Sequence, residues 1–149
     1  MKLIKKISVI SILFAATALA ACSSSQGTSF SIPNESYKDG TYEGRSEDHS
    51  LDSDGVASGY AIAVLTIESS KLTSCEFTMY NIDGTVKDDK YGSEYSKDNY
   101  VKAQRAIQAG KLYAQYLVER NSVDVISGAT TTYDEFKEAV NDALAKAKA

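Results

Sequence analysis

Three consecutive hydroxyl side chains follow a small, flexible turn near the end of the chain. The turn Ser-Gly-Ala leads into Thr130, Thr131 and Thr132, and a helical apolar pattern begins just beyond them. Because Thr132 and Glu135 have the spacing of a capping box, we predict Thr132 to be the N-cap of that helix. Thr131 would then be dispensable, and Thr130 would project just ahead of the helix N-terminus. The backbone N–H groups and the helix dipole at such a position favour an anion such as phosphate.

The chain offers no side chain that would turn these hydroxyls into nucleophiles. A threonine nucleophile needs a base, and no histidine lies near these hydroxyls in the sequence. His49 is the single histidine, which excludes a multi-histidine metal site. We predict His49 to be an exposed loop residue. Residues 52–55 contain part of a calcium-loop pattern but lack its third acidic position and distal glutamate. The sequence therefore predicts no catalytic residue and no metal site, and Thr130 would have to be activated by another enzyme.

The N-terminus has the pattern of an export signal. Lysines precede an apolar run that is too short to span a bilayer. The sequence Leu-Ala-Ala-Cys22, followed by three serines, resembles the lipobox of bacterial lipoproteins, in which the cysteine thiol receives diacylglycerol. We expect residues 1–21 to be removed as a lipoprotein signal peptide. Cys22, acylated further with a chain such as palmitate, would anchor the protein to the extracytoplasmic face of the cell membrane. The alternative is an ordinary secretory signal with an incidental cysteine.

The composition of the mature chain limits the partners and cross-links that it can have. Removing residues 1–21 removes three of the 16 basic residues and no acid, so 13 basic residues face 20 acidic ones, a formal charge of −7. This balance disfavours a nucleic-acid partner. Cys75 then has no disulfide mate, and we predict it to be a small buried apolar side chain rather than a reactive thiol. Residues 22–36 are serine-rich and hold the only proline, which predicts a flexible tether behind the lipidated cysteine.

The first half of the remaining chain has the patterns of β structure. A turn signal precedes a short predicted strand over residues 41–46. Residues 60–68 are apolar on both faces, so this strand should be central in its sheet. A Ser-Ser-Lys turn joins it to residues 72–80 as an antiparallel hairpin. Residues 85–99 are polar and read as a long surface loop.

The second half has helical patterns. One helix is predicted from Asp98 to about Glu119, with Gly110 marking close packing. The last helix has a full apolar stripe, with acids early and lysines late to suit the helix dipole. The stripe consists of Phe136, Ala139, Val140, Ala143, Leu144 and Ala147. The sequence thus predicts an α+β fold with a small antiparallel sheet packed against two C-terminal helices in a single domain, residues 37–149.

The segment that ends in the first threonine resembles a known flavinylation motif. The run Asp124-Val-Ile-Ser-Gly-Ala-Thr130 is similar to that of the FMN-binding domain family, which includes the C subunit of the sodium-pumping quinone reductase and exported flavoproteins of extracellular electron transfer. The similarity extends over residues 37–148, including Asp-Gly-Thr-Tyr-Glu-Gly at the start, the hairpin, and Ala-Val-Asn-Asp-Ala-Leu near the end. Val125 departs from the small residue that usually follows the aspartate.

The resemblance implies a covalent cofactor. In the family, a flavin transferase uses FAD to attach FMN through a phosphoester to the threonine that corresponds to Thr130. The residues implied in recognition are Asp124, Ser127, Gly128 and Ala129, and the further expected flavin contacts are Thr131, Thr132 and Tyr133. For Tyr133 two alternatives remain open, which are stacking on the flavin ring and simple packing in the core.

The same resemblance implies an electron carrier rather than an enzyme. Such a carrier would take electrons from a membrane donor such as a quinone-linked dehydrogenase and pass them to an external acceptor, with the flavin supplying the redox chemistry. A covalent bond suits an exported protein. A noncovalent site with a micromolar dissociation constant, a binding free energy of about −8.2 kcal/mol, empties when the concentration of free flavin falls below micromolar. The alternatives are a non-redox surface lipoprotein that binds a partner or small ligand, and a reductase in its own right. For the reductase, the sequence shows no acid–base constellation.

Overall fold

The computed structural model describes residues 29–49 and 58–149 of the chain. Its elements in chain order are β1 (Ser29–Ser31), β2 (Gly40–Arg45), β3 (Tyr60–Glu68), β4 (Lys71–Tyr80), α1 (Lys97–Arg120), β5 (Ser122–Asp124) and α2 (Thr130–Ala147). The predicted signal peptide, the lipidation site Cys22 and the partial calcium-loop pattern at 52–55 lie outside the described residues. Among the helices of the described part, none has the length and apolar character needed to cross a membrane.

Strands β2, β3 and β4 form an antiparallel sheet with β3 in the centre, as predicted. The inner face of β3 is fully buried and the other face is half-buried, so the strand packs mainly on one side. The inner residues are Ala61, Ala63, Leu65 and Ile67. The β3–β4 hairpin closes through Ser69 and Ser70, whose φ values of 52° and 60° match the left-handed turn that suits the twist of a two-residue hairpin.

The two helices pack on this sheet, with α2 against β2 and β3 and α1 against β4. Every residue of the predicted apolar stripe of α2 is buried. Strand β2 approaches α2 so closely that a Cβ atom on Gly44 would overlap the carbonyl oxygen of Ala139. A Cβ atom on Gly110 of α1 would lie 2.8 Å from the ring of Phe77, which confirms the predicted close packing there. The α+β prediction is therefore confirmed.

A second, two-stranded sheet corrects part of the tether prediction. Strand β1 pairs antiparallel with β5, and Phe30 lies opposite the buried Val123. Farther on, the Tyr37 N–H donates to the Ser70 hydroxyl over 3.0 Å. The tether prediction is wrong for residues 29–36, because Phe30 and Ile32 pack against the core and anchor this serine-rich segment through apolar contacts.

Candidate functional site

Helix α2 begins three residues earlier than the capping pattern predicted. Its first helical residue is Thr130 and its N-cap is Ala129, which makes no side-chain capping bond. The Tyr133 N–H already donates to the Ala129 carbonyl over 3.0 Å, so the first turn closes there. Thr132 and Glu135 are only 2 % and 1 % exposed. The predicted N-cap at Thr132 is therefore wrong, because these two side chains face the interior instead of bonding the helix end.

The three threonines have three different environments. Thr130 is exposed, Thr131 is half-buried and Thr132 is buried. Since Ala129 has no polar side chain to occupy the N–H groups of the first turn, these groups stay available to an anion beside Thr130. Of the three hydroxyls, that of Thr130 is the one that combines exposure with a helix N-terminus.

Tyr113 of helix α1 holds the segment that precedes α2. Its fully buried hydroxyl accepts a hydrogen bond from the Ile126 N–H over 2.9 Å and donates to the Ala129 carbonyl over 3.3 Å. Burial raises the pKa of this phenol, so the hydroxyl keeps its proton at neutral pH. The turn itself depends on Gly128, whose φ of 80° suits glycine. One side chain thus fixes both ends of the turn that leads to Thr130.

A cavity of about 480 Å³ lies beside this helix start. Residues 128–132 form part of its wall, and Met79, Ala103 and Ala106 give it apolar surface. Its size lies within the range of about 300–1,000 Å³ that is usual for small-molecule sites. The structure thus brings five of the predicted site residues, Gly128 to Thr132, to a single cavity.

The other three predicted site residues lie elsewhere. Asp124 is exposed at the end of β5, and Ser127 is exposed in the turn. Tyr133 is 3 % exposed, and its ring meets that of Tyr113 edge-on with centroids 5.5 Å apart. This packing favours the core role of Tyr133 over stacking on a ligand. The aromatic ring in the cavity wall is that of Tyr91.

Two buried charged residues also line the cavity, and the sequence did not reveal them. Lys87 is 5 % exposed, although it lies in a segment predicted to be a surface loop, and Glu135 is 1 % exposed. Neither carboxylate oxygen of Glu135 has a hydrogen-bond partner within the described residues. Burial raises the pKa of Glu135, opposed by the positive charges of Lys87 and His49. Burial likewise lowers the pKa of Lys87, opposed by the negative charge of Glu135.

His49 differs from its prediction as an exposed loop residue. Its Nε2 lies 3.0 Å from Oε2 of Glu138, and 20 % of its side chain is exposed. Partial burial disfavours its protonation, but the hydrogen bond and charge of Glu138 outweigh this effect and raise the pKa of His49. His49 therefore links the segment that follows β2 to helix α2. The described residues contain no group of three or more His, Cys, Asp or Glu side chains that could hold a metal ion.

Cys75 packs as an apolar side chain, as predicted. It is a free cysteine, partly buried, and packed against the core. Burial raises the pKa of its thiol to about 12. Because the thiolate is the reactive form, this thiol is inert near neutral pH.

The cavity and its rim suit the parts of FMN. The exposed hydroxyl of Thr130 at a helix N-terminus suits a phosphate group. The cavity combines apolar surface with the two buried carboxylate oxygens of Glu135, which have no hydrogen-bond partner within the described residues, and so offers surfaces for a ring with one apolar and one polar edge.

Comparison with known proteins agrees with this fit. The family model described as FMN-binding domain matches residues 38–145. The crystal structure of CPE2226 protein from Clostridium perfringens resembles this chain with a TM-score of 0.55 and 21 % sequence identity, covering 74 % of this chain and 88 % of that one. At that identity the likeness concerns the fold alone. A search of curated proteins found no match. Because the family model spans well over half of the chain, this protein belongs to the FMN-binding domain family.

Proposed function

We propose that this protein is an electron carrier whose FMN is attached to Thr130 through a phosphoester bond. The observation that carries the proposal is the position of Thr130, which is an exposed hydroxyl at the first residue of α2 and also a wall residue of the cavity. Thr131 and Thr132 are progressively less accessible, so a modifying enzyme would reach Thr130 first.

The attachment reaction would be carried out by a flavin transferase that uses FAD. The Thr130 oxygen forms a bond to the phosphorus of the FMN moiety, the pyrophosphate bond of FAD breaks, AMP leaves, and the hydroxyl proton is released. Within the described residues no hydrogen bond joins the Thr130 hydroxyl to a basic side chain, and His49 is engaged by Glu138. The transferase must therefore supply the base.

After attachment, the chain's own residues would bind and orient the cofactor. The N–H groups of the first turn of α2, which begins at Thr130, would bind the phosphate and offset its negative charge. Tyr113 fixes the turn from Ile126 to Ala129, so the attachment point is held relative to the cavity. FMN, when bound, supplies the electron-transfer chemistry.

The location of the carrier is part of the proposal. Acylated Cys22 would hold the domain at the extracytoplasmic face of the cell membrane, near a membrane donor such as a quinone-linked dehydrogenase. The lipobox-like sequence supports this placement. Replacing Cys22 by serine should abolish incorporation of labelled palmitate and release the protein from the membrane fraction. Retention of both label and membrane association in that variant would contradict the anchoring.

The attachment is tested by coexpressing the chain with an active flavin transferase. We expect the mass of the protein to increase by one FMN minus water, and in-gel flavin fluorescence to survive denaturation. Thr130→Ala should abolish both signals, whereas the matched variant Thr131→Ala should keep them. An unmodified mass, obtained while a positive-control substrate is flavinylated in the same cells, would refute the covalent proposal.

Electron transfer has its own test. The flavinylated protein should lose its visible flavin absorbance under a chemical reductant and regain it on adding an external acceptor. A flavin that stays oxidised under strong reductant would contradict the carrier function.

A further inference from the structure

We propose that Lys87 and Glu135 bind the polar edge of the flavin ring inside the cavity beside Thr130. The inference rests on the proposed function and adds to it the residues that recognise the ring. Neither residue belongs to the sequence motif that contains the acceptor threonine, and they come from different parts of the fold, the segment after β4 and helix α2.

The first observation is the unused hydrogen-bonding capacity of Glu135. Its side chain is 1 % exposed and lines the cavity, yet neither oxygen has a hydrogen-bond partner within the described residues. Leaving a buried polar group unsatisfied is costly, and more so for a charged group, so such groups are rare in folded proteins. A ligand that offers a donor in the cavity would remove this cost.

The second observation is a buried cation on the same cavity. Lys87 is 5 % exposed, and its backbone N–H donates to the Met79 carbonyl over 2.9 Å, which fixes its position beside β4. Its ammonium lies 5.1 Å from the ring centre of Tyr91. Gly59 leaves room for this side chain, because a Cβ atom there would lie 2.8 Å from the Lys87 Nζ. The surrounding residues therefore hold the Lys87 side-chain nitrogen beside the cavity.

The chemistry of the two groups matches that of the ring edge. The polar edge of a flavin presents an N–H donor between two carbonyl acceptors. An ammonium group donates only and a carboxylate accepts only, so Lys87 can donate to a ring carbonyl while Glu135 accepts from the ring N–H. Both bonds involve a charged protein group, and such bonds contribute more than neutral ones.

The experiment measures ring binding without the covalent bond. In the full chain carrying Thr130→Ala, titration with riboflavin, which has the ring but no phosphate, is followed by flavin fluorescence quenching. Adding Glu135→Leu or Lys87→Met should weaken binding by about tenfold or more, as expected for the loss of a charged hydrogen bond. Glu135→Gln keeps an acceptor oxygen but loses the negative charge, so its affinity for riboflavin should lie between those of the parent and of Glu135→Leu.

Controls separate recognition from folding. Glu119→Leu alters an exposed glutamate of α1 outside the cavity and should leave riboflavin binding unchanged. Circular dichroism and thermal unfolding establish that each variant is folded. Folded Glu135→Leu and Lys87→Met variants that bind riboflavin like their parent would overturn the inference, as would a folded parent that binds none.

A second readout is the redox potential of the flavin in the covalently loaded protein. A nearby cation favours the electron-rich form, so Lys87→Met should lower the midpoint potential relative to wild type. An unchanged potential would count against Lys87 as a ring contact. Failure of the proposed function would be recognised separately, as absence of the mass increase at Thr130, because riboflavin binding needs no covalent bond.

Discussion

Replacing Tyr113 by phenylalanine should loosen the turn that leads to Thr130. The substitution removes the acceptor of the Ile126 N–H, while the Ala129 carbonyl keeps its bond from the Tyr133 N–H. The main cost is therefore one unsatisfied backbone donor, which is about 1–3 kcal/mol when buried. Because this hydrogen bond is only partly buried, water can satisfy some of the lost bonding, and we expect a loss of about 1–2 kcal/mol in the free energy of unfolding.

The assay is urea unfolding of the protein without flavin, combined with hydrogen exchange at the Ile126 amide. We expect a lower urea midpoint at an unchanged slope, a fall in melting temperature of about 3 to 8 °C, and faster exchange at Ile126. Tyr116→Phe on the same helix is the matched control, since Tyr116 is partly exposed and stacks beneath Arg120. A change below about 0.5 kcal/mol, together with unaltered exchange at Ile126, would refute the positioning role of Tyr113.

Three further predictions concern the support of the site. Gly44→Ala should cost about 3 kcal/mol, the upper end of typical overpacking costs, because the added Cβ would overlap backbone atoms of α2. Urea unfolding that matches the exposed Glu43→Ala control would contradict this. Because folding raises the pKa of His49, its bond to Glu138 should contribute its full stability at pH values below 6.5, the pKa in the unfolded chain. This stability should be lost as the pH rises through the higher pKa of the folded protein. Glu138→Gln should flatten that pH dependence in urea unfolding between about pH 5 and 8, and an equally steep profile would be inconsistent with the pairing. With a thiol pKa of about 12, Cys75 should react with iodoacetamide at neutral pH far more slowly in the folded than in the urea-unfolded protein, and equal rates would disprove its burial.

Local periodicity made much of the fold predictable. The apolar stripe of α2 could be identified because apolar residues recur every three to four positions on the face of a helix that packs on the core. Every residue of that stripe is buried in the structure. The hairpin was identified because two strand patterns flank a short polar turn, here Ser69 and Ser70. Both signals are contained in neighbouring residues, so no knowledge of distant contacts was needed.

Features that depend on distant contacts could not be predicted in this way. Strand β1 exists because Phe30 docks beside Val123, more than ninety residues away along the chain. Lys87 has an ordinary polar neighbourhood in the sequence and becomes buried only because β4 and helix α2 lie beside it. The capping-box spacing of Thr132 and Glu135 is compatible with two arrangements, and burial of that helical face selects the one in which neither residue caps the helix.

The three consecutive threonines differ in exposure because they lie on different sides of helix α2. Successive residues of an α-helix are rotated by about 100°, so three neighbours cover more than half of its circumference. Thr130 consequently faces solvent while Thr132 faces the interior, and Glu135, three residues later, lies on that same inner face. Helix α2 therefore presents the candidate attachment point outward and the candidate ring contact inward from one rigid element. Any shift of α2 relative to the sheet should disturb attachment and ring binding together, and for this reason close packing at Gly44 matters to the site as well as to the fold.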